Sequence, residues 1–318
     1  MTSERQVVVS GIGAVSCLGH DVTTLWAGLT TGRCGIRPLE RLKTEGHRIT
    51  HGGEVPTLPD GAGGGGDLAV RYSAIAGEEA LRQAGLDEPA RAGVELVTAT
   101  NFGAMAATET FMATPDDAPE EAVFLDGVCN MIATRLKLNG GCTALSLSCA
   151  SGNAAIGCAA DRIRAGRAEA VLAIGYDAIS PVVWAGLAAL RAMTSNALRP
   201  FDARRDGTIF AEGAGALLLE SAGRAASRGA APLARFRGWG SSSNAFHMTH
   251  PDPDGGGMVR AMRAALADAG MSPDEIDHVN AHATATKPND TLETAAIKAV
   301  FGEHAPKLAI NGIKSMIG

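Results

Sequence analysis

Short apolar runs alternate along the chain with longer stretches whose apolar positions recur at helical spacing. The runs that predict strands cover 7–9, 94–100, 144–148, 171–175, 213–220, 233–240, 278–282 and 308–313. The helical pattern covers 23–29, 68–85, 150–165, 257–269 and 290–300. Such alternation favours an α/β fold in which sheets and helices form layers.

A second series of strands and helices begins near residue 233, although no internal sequence repeat is evident. We therefore predict a duplicated fold made of two similar halves. The first domain is expected to cover 1–232 and the second 233–318.

Local signals mark individual helix ends and connections. Gly85 is a suitable C-cap for the helix that precedes it. Ser272, with proline next and Glu275 three positions on, has the residue types of a helix start. Residues 48–67 and 112–123 fit neither pattern, and we predict that they are surface insertions.

Composition and charge narrow the class of protein. Of the 318 residues, 46% are hydrophobic and 19% charged, as in a globular protein with a large core. A net charge of -6 without a run of lysine or arginine argues against binding to nucleic acid or to an anionic membrane. Neither a signal peptide nor an apolar run of about 18 residues is evident. We expect a cytoplasmic protein.

The six cysteines show no CxxC spacing and form no cluster with histidine at zinc-ligand spacing. We therefore expect no metal site. For the cysteines other than Cys149, we expect buried thiols in a reducing compartment.

Cys149 has a distinctive context, because it ends an apolar run and precedes a predicted helix of small residues. The positive end of a helix dipole and unpaired backbone N–H groups stabilise a thiolate. The same N–H groups can hold an oxyanion. A lone cysteine is more often a buried, inert residue, but this context makes Cys149 the candidate nucleophile.

Two further segments carry candidate chemistry. His282 follows a predicted strand, at the carboxyl end where open α/β sheets place their ligand sites. Thr284 and Thr286 alternate after it, so both hydroxyl groups can line one side of an approach channel. Lys314 also follows an apolar run and is expected near the same pocket.

Several motifs together resemble one family over nearly the whole chain. They include Ser-Cys-Ala-Ser-Gly at 148–152, Arg-Pro-Phe-Asp-Ala-Arg-Arg-Asp-Gly at 199–207 and His-Ala-Thr-Ala-Thr at 282–286. Further matches lie at 8–13, 212–215, 245–249, 251–255, Asp290 and 314–315. In this order they resemble the elongating β-ketoacyl-acyl carrier protein synthases of the thiolase superfamily.

The resemblance implies a thiolase-like α/β fold with two βαβαβαββ halves in five layers, α-β-α-β-α. It implies an acyltransferase that needs no cofactor, because its substrates are carried on the phosphopantetheine of acyl carrier protein. Cys149 would accept the acyl group, His282 would stabilise the malonyl enolate, and Lys314 would order the pocket. Thr284 and Thr286 would contact the pantetheine arm. A homodimer, or a heterodimer with a ketosynthase-like subunit, is expected.

The sequence departs from the family pattern in two respects. Ala283 and Ala285 replace a glycine and a serine, and Ala283 would be strained if its backbone needs a positive φ. In the family, a second catalytic histidine and a glycine-rich loop follow the position of Gly318, the last residue here. We therefore expect a second half that lacks some family elements, and favour a fragment over a split gene or a degenerate paralogue.

Other functions remain open at this stage. One is a ketosynthase of a polyketide or aryl-polyene pathway. Another is a non-catalytic or partner-dependent subunit similar to a chain-length factor, although Cys149 argues against it. A thiolase or an initiating synthase that uses coenzyme A esters fits the motifs at 282–286 and 314–315 less well. A serine hydrolase is disfavoured because the turn carries no serine nucleophile.

Overall fold

The structure, a computed structural model, describes residues 5–64, 66–114, 120–247 and 251–318. Its strands are β1 (Val7–Val15), β2 (Arg37–Pro38), β3 (His51–Gly52), β4 (Glu95–Ala99), β5 (Cys142–Leu145), β6 (Ala170–Asp177), β7 (Gly213–Ser221), β8 (Ala234–Phe236), β9 (His278–Asn280) and β10 (Ala309–Asn311). Its helices are α1 (Val22–Thr30), α2 (Leu68–Gln83), α3 (Met105–Ala113), α4 (Leu125–Arg135), α5 (Ser151–Arg164), α6 (Pro181–Ala189), α7 (Ala222–Ser227), α8 (Gly256–Ala269), α9 (Lys287–Phe301) and α10 (Lys314–Ile317).

A mixed sheet forms the centre of the first half, with strand order β5-β4-β6-β7-β1-β8. β4 is parallel to both β5 and β6, whereas β7 runs antiparallel to β6 and β1. The parallel strands β4 and β5 therefore end at the same edge of the sheet. Cys149 follows β5 at this edge.

Each face of this sheet is covered by helices. On one face α2 and α4 pack over a core that includes Leu81, Ile132 and Leu172. On the other face α5 packs through small side chains, among them Ala155 and Ala159. Because these side chains are small, α5 lies close to the strands beneath it.

Glycines allow similar close contacts in both halves. A Cβ on Gly11 or Gly13 of β1 would lie within 2.0 Å of a backbone oxygen of α2. Residues Gly238 and Gly240, which follow β8, face α8 in the same way, with the nearest backbone atoms at 2.5 and 2.4 Å. At both places the glycines let a segment of the chain lie directly on the backbone of a helix.

The second half repeats the parallel arrangement on a smaller scale. β9 and β10 pair in parallel, from Ala309 with His278 to Asn311 with Asn280. α8 and α9 pack beside them over a core that includes Ile297 and Phe301.

Most predicted elements are present with shifted ends, but some expectations were wrong. Residues 48–67 are not simply a surface insertion, because Ile49, Glu54 and Val55 are buried. Part of the predicted insertion at 112–123 lies outside the described residues, as do the last two residues of the motif at 245–249. Helices α3, α4 and α6 were not predicted. Among the described residues, no helix is long and apolar enough to cross a membrane.

Candidate active site

The chain turns sharply between β5 and α5, and Cys149 lies in this turn. β5 ends at Leu145, earlier than predicted, and α5 begins at Ser151. Ser148 has a φ of 52°, in the left-handed region that residues other than glycine rarely occupy. The turn leaves Cys149 exposed to solvent.

A buried serine, Ser151, holds the turn in place. Its hydroxyl accepts a hydrogen bond from the backbone N–H of Leu147 at 2.8 Å. The same oxygen lies 2.7 Å from the carbonyl of Ser148 and 2.9 Å from that of Thr100. A hydroxyl has one proton, so it donates to one of these carbonyls at a time. The Thr100 contact ties the turn to the end of β4.

The position of Cys149 suits a nucleophile. α5 is 14 residues long, and no described side chain caps its N-terminus. Its first N–H groups and its dipole therefore favour negative charge near the sulfur. An oxyanion formed on a thioester at this sulfur would be stabilised there.

The loop after β9 is held by two buried carboxylates of α9. Glu293 accepts the backbone N–H of His282 at 2.6 Å with one oxygen and that of Ala283 at 3.0 Å with the other. Asp290 accepts the N–H of Ala285 at 3.1 Å. Hydrogen bonds to ionised groups are the stronger kind, so α9 determines where the imidazole of His282 emerges.

The two alanines of this loop occupy a strained conformation. Ala283 has a φ of 51° and Ala285 a φ of 60°, and both are fully buried. Ala283 therefore has the positive φ that would strain its backbone, and Ala285 has one as well. Gly312 lies against the first of them, since a Cβ built there would be 2.2 Å from the Cβ of Ala283.

His282 is exposed to solvent, although protein atoms surround much of its imidazole. This desolvation lowers its pKa below the ordinary value of 6.5, and the positive charge of Lys314 lowers it further. Attraction to Glu293 and Asp290 opposes the shift without cancelling it. The lowered pKa favours the neutral form of the imidazole.

Lys314 begins the short helix α10 and faces the same region. Burial lowers the pKa of its ammonium group, while Cys149, Glu293 and Asp290 raise it in part. Loops of the first half hold this segment: the N–H of Gly35 donates to the carbonyl of Met316 at 2.8 Å. Lys314 lies close enough to both Cys149 and His282 for its charge to interact with each of them.

The two threonines of the same loop lie on one side of it. Their Oγ1 atoms are 3.0 Å apart, so Thr284 and Thr286 share a hydrogen bond. The guanidinium of Arg205 lies next to them and donates to the carbonyl of Lys287 at 3.1 Å. This contact links the segment at 199–207 to the start of α9.

Two family descriptions match the chain in sequence. Residues 4–225 match the N-terminal domain of beta-ketoacyl synthases, and residues 233–318 match the C-terminal domain. The chain belongs to the β-ketoacyl synthase family.

Relatives of this β-ketoacyl synthase cover almost all of it. It is 39% identical to nodulation protein E of Rhizobium meliloti, over 98% of this chain and 81% of the relative. It is 33% identical to 3-oxoacyl-[acyl-carrier-protein] synthase 2 of Staphylococcus aureus, over 100% and 82%. The solved structure of the ishigamide ketosynthase/chain length factor superposes with a TM-score of 0.88, at 33% identity, over 99% and 82%. These likenesses confirm the thiolase-like fold.

Sequence reasoning about this β-ketoacyl synthase missed two positioning residues. Glu293 follows Asp290 by one helical turn, so the two carboxylates share a side of α9. This spacing occurs in a helix that follows soon after the strand leading to His282. It could therefore have predicted that both carboxylates face the His282 loop. Ser151 gave no signal, because a serine among small residues also suits helix packing. The described part of the chain holds no cluster of acidic, histidine and cysteine side chains that could bind a metal ion.

Proposed function

We propose that this protein is a 3-oxoacyl-acyl carrier protein synthase that extends an acyl chain by two carbons. The observation that carries the proposal is the convergence of an exposed thiol at a helix N-terminus, an imidazole with a lowered pKa and a lysine. This set has a nucleophile and a hydrogen-bond donor for an enolate, and it requires no cofactor.

In the first step Cys149 accepts an acyl group. Its sulfur attacks the carbonyl carbon of a thioester on the carrier protein, and the pantetheine sulfur leaves with the proton. The N–H groups at the start of α5 stabilise the negative oxygen of the tetrahedral intermediate. One thioester replaces another of similar energy, so the transfer can run to completion when the next step consumes the product.

In the second step malonyl-carrier protein binds and loses carbon dioxide. The electron pair of the broken C–C bond forms an enolate, whose oxygen accepts a hydrogen bond from neutral His282. The enolate carbon attacks the acyl carbon on Cys149, and the thiolate leaves. Lys314 contributes positive charge near the thiolate and the carboxylates of α9.

Partners follow from the same chemistry. An acyl carrier protein would supply both substrates, and Thr284 and Thr286 would contact its pantetheine arm. The relative from Staphylococcus aureus is named for such a carrier, and the ishigamide structure pairs a ketosynthase with a chain length factor. We therefore propose a dimer, either with a second copy or with a ketosynthase-like subunit.

Intact-mass measurement tests the proposal directly. The protein is mixed with an acyl-carrier protein, and the mass of one acyl group should be added to Cys149. The variant Cys149→Ser should not gain it, whereas Cys142→Ser, at another exposed cysteine, should. Absence of acylation in the unmodified protein, alone and with a ketosynthase-like partner, would favour a non-catalytic subunit instead.

A further inference from the structure

Trp239 packs between the helix that follows Cys149 and the second half of the molecule. Its indole lies flat on the backbone of Gly157 in α5, since a Cβ at Gly157 would be 2.3 to 2.6 Å from three atoms of the ring. The indole N–H donates to the carboxylate of Asp161, one turn further along α5, at 3.2 Å. The contact with Gly157 and the hydrogen bond to Asp161 together fix the position and the orientation of the ring.

The residues on either side of Trp239 face the opposite way. A Cβ on Gly238 would be 2.5 Å from the backbone nitrogen of Ala269, and one on Gly240 would be 2.4 Å from the carbonyl oxygen of Ala261. Both contacts are with α8. In this segment the two glycines allow the backbone to lie directly on α8. The indole of Trp239 determines the distance between this backbone and α5.

Ion pairs hold the two helices to the same segment. The backbone N–H of Trp239 donates to Asp268 of α8 at 2.9 Å, and Arg164 of α5 donates to the same carboxylate oxygen at 2.9 Å. Arg164 also donates to the carbonyl of Arg237 at 2.8 Å and lies over the ring of Phe236. α5 and α8 are thus joined through Trp239 and its neighbours.

Further contacts connect α8 to His282 through α9. Met262 of α8 packs on a cluster that includes Ile297 of α9. One turn earlier on α9, Glu293 holds the backbone of His282. At the other end of these contacts, α5 begins just after Cys149.

We propose that Trp239 is a positioning residue that sets the distance between the Cys149 thiol and the His282 imidazole. The inference rests on the proposed function for its kinetic consequence, but the distance itself is a property of the fold. Acyl transfer needs only the first of these groups, whereas condensation needs both at the correct separation. Loss of the indole should therefore harm condensation selectively, because a shift of about 1 Å can cost roughly 100-fold in rate.

A cross-linking experiment measures the distance without any catalysis. In the variant His282→Cys, a short rigid bismaleimide joins positions 149 and 282, and peptide mapping quantifies the product. Adding Trp239→Leu should slow this cross-link several-fold, while a monofunctional maleimide labels each of the two cysteines at an unchanged rate. An unchanged cross-linking rate would overturn the inference, whether or not the protein catalyses condensation.

A kinetic experiment then separates the two steps. Trp239→Leu should acylate Cys149 at a rate close to that of the parent, yet condense with malonyl-carrier protein 10-fold to 100-fold more slowly. Trp239→Phe keeps a ring against Gly157 without the bond to Asp161, and should recover most of the rate. Equal losses in both steps would mean that Trp239 acts only on general stability.

Two matched controls use the other tryptophans. Trp26→Leu, at an exposed tryptophan of α1, should change neither step nor the cross-link. Trp184→Leu removes a fully buried tryptophan from a separate cluster and should lower stability while the ratio of the two rates stays constant. If the unmodified protein fails to acylate, the proposed function fails, while the cross-linking result still decides the inference.

Discussion

The loops that follow β4 and β9 occupy corresponding places in the two halves, and in each loop a single carboxylate accepts two backbone N–H groups. After β4, the backbone N–H groups of Asn101 and Phe102 donate to the same oxygen of Asp177 at 3.0 and 2.8 Å. After β9, the N–H groups of His282 and Ala283 donate to the two oxygens of Glu293. In both halves a carboxylate thus accepts hydrogen bonds from two neighbouring backbone N–H groups.

The source of the carboxylate differs between these loops. Asp177 ends β6, so the first loop is fixed by a neighbouring strand of the same sheet. Glu293 belongs to α9, so the second loop is fixed by the helix that follows it in sequence. The first arrangement is a rigid part of the sheet, whereas the second makes the placement of His282 depend on how α9 packs.

A second correspondence concerns the adjacent strands. β5 is parallel to β4 and leads to Cys149, while β10 is parallel to β9 and leads to Lys314. Duplication therefore places a thiol and an ammonium group at related points of the two halves. Chemistry arises because the same scaffold carries different side chains at the carboxyl ends of its strands.

The largest effect should come from removing the carboxylate of the second loop. Glu293→Ala leaves two buried N–H groups without their acceptor, at a cost of about 1–3 kcal/mol each. The imidazole would then lose its fixed position, so condensation should fall by about 100-fold or more. Acylation of Cys149, followed by intact mass, should be nearly unchanged.

Asp177→Ala is the matched variant for the first loop. It also removes a partly buried acceptor, but the contact of Thr100 with Ser151 connects this loop to the Cys149 turn. Acylation should therefore fall together with condensation. If the two variants gave the same pattern of losses, the division of roles between the halves would be wrong.

The positive charge of Lys314 lowers the pKa of His282 in the second loop, and this effect can be tested. In the proposed mechanism the neutral imidazole assists decarboxylation, so activity should persist below pH 6.5 and decline as the imidazole becomes protonated. Lys314→Ala removes a repulsive charge, which should raise the pKa of His282 and move this acidic limb to higher pH. NMR titration of the imidazole measures the shift directly.

The sign of the accompanying stability change follows from linkage. The pKa of His282 is lower in the folded protein, so the unfolded chain binds more protons as the pH falls below 6.5. Stability should therefore decrease in that range, and Lys314→Ala should weaken this decrease. Lys298→Ala, an exposed lysine at the far end of α9, is the control, and an equal effect there would contradict the assignment.

Much of this site was predictable because its signals are local. A cysteine between a strand and a helix of small residues, and a histidine at a strand end, both follow from short segments of sequence. The thiolase-like fold followed from the order of several motifs. The carboxylates beneath the loops were harder to predict, because a buried acidic residue and an exposed one look alike in sequence.

Contacts between distant segments could not be predicted. Nothing near Trp239 indicates that its ring meets Gly157, more than 80 positions earlier in the sequence. The burial of Ile49 and Val55 was missed for the same reason, because their partners belong to other parts of the fold. Helices α3 and α6 carry little periodicity, and their packing against each other selects the helical state.

The smallest effect is expected at the strained alanines of the second loop. An L-residue in the left-handed region costs about 1–2 kcal/mol, and glycine avoids this cost. Ala283→Gly also loses a buried methyl group and adds chain entropy to the unfolded state, so the net gain in stability should be about 1 kcal/mol or less. Chemical denaturation measures this gain.

Gly312 provides a partner for a double-mutant cycle. Gly312→Ala alone should destabilise the protein, because the new Cβ would lie 2.2 Å from the Cβ of Ala283. In the Ala283→Gly background that clash is absent, so the same substitution should cost much less, and the two changes should couple by about 1 kcal/mol or more. Additive effects would show that the backbone of the loop, rather than the contact between these two residues, determines the strain. In that case the His282 loop would hold its conformation through its own backbone, as the more rigid first loop does, rather than through its contact with Gly312.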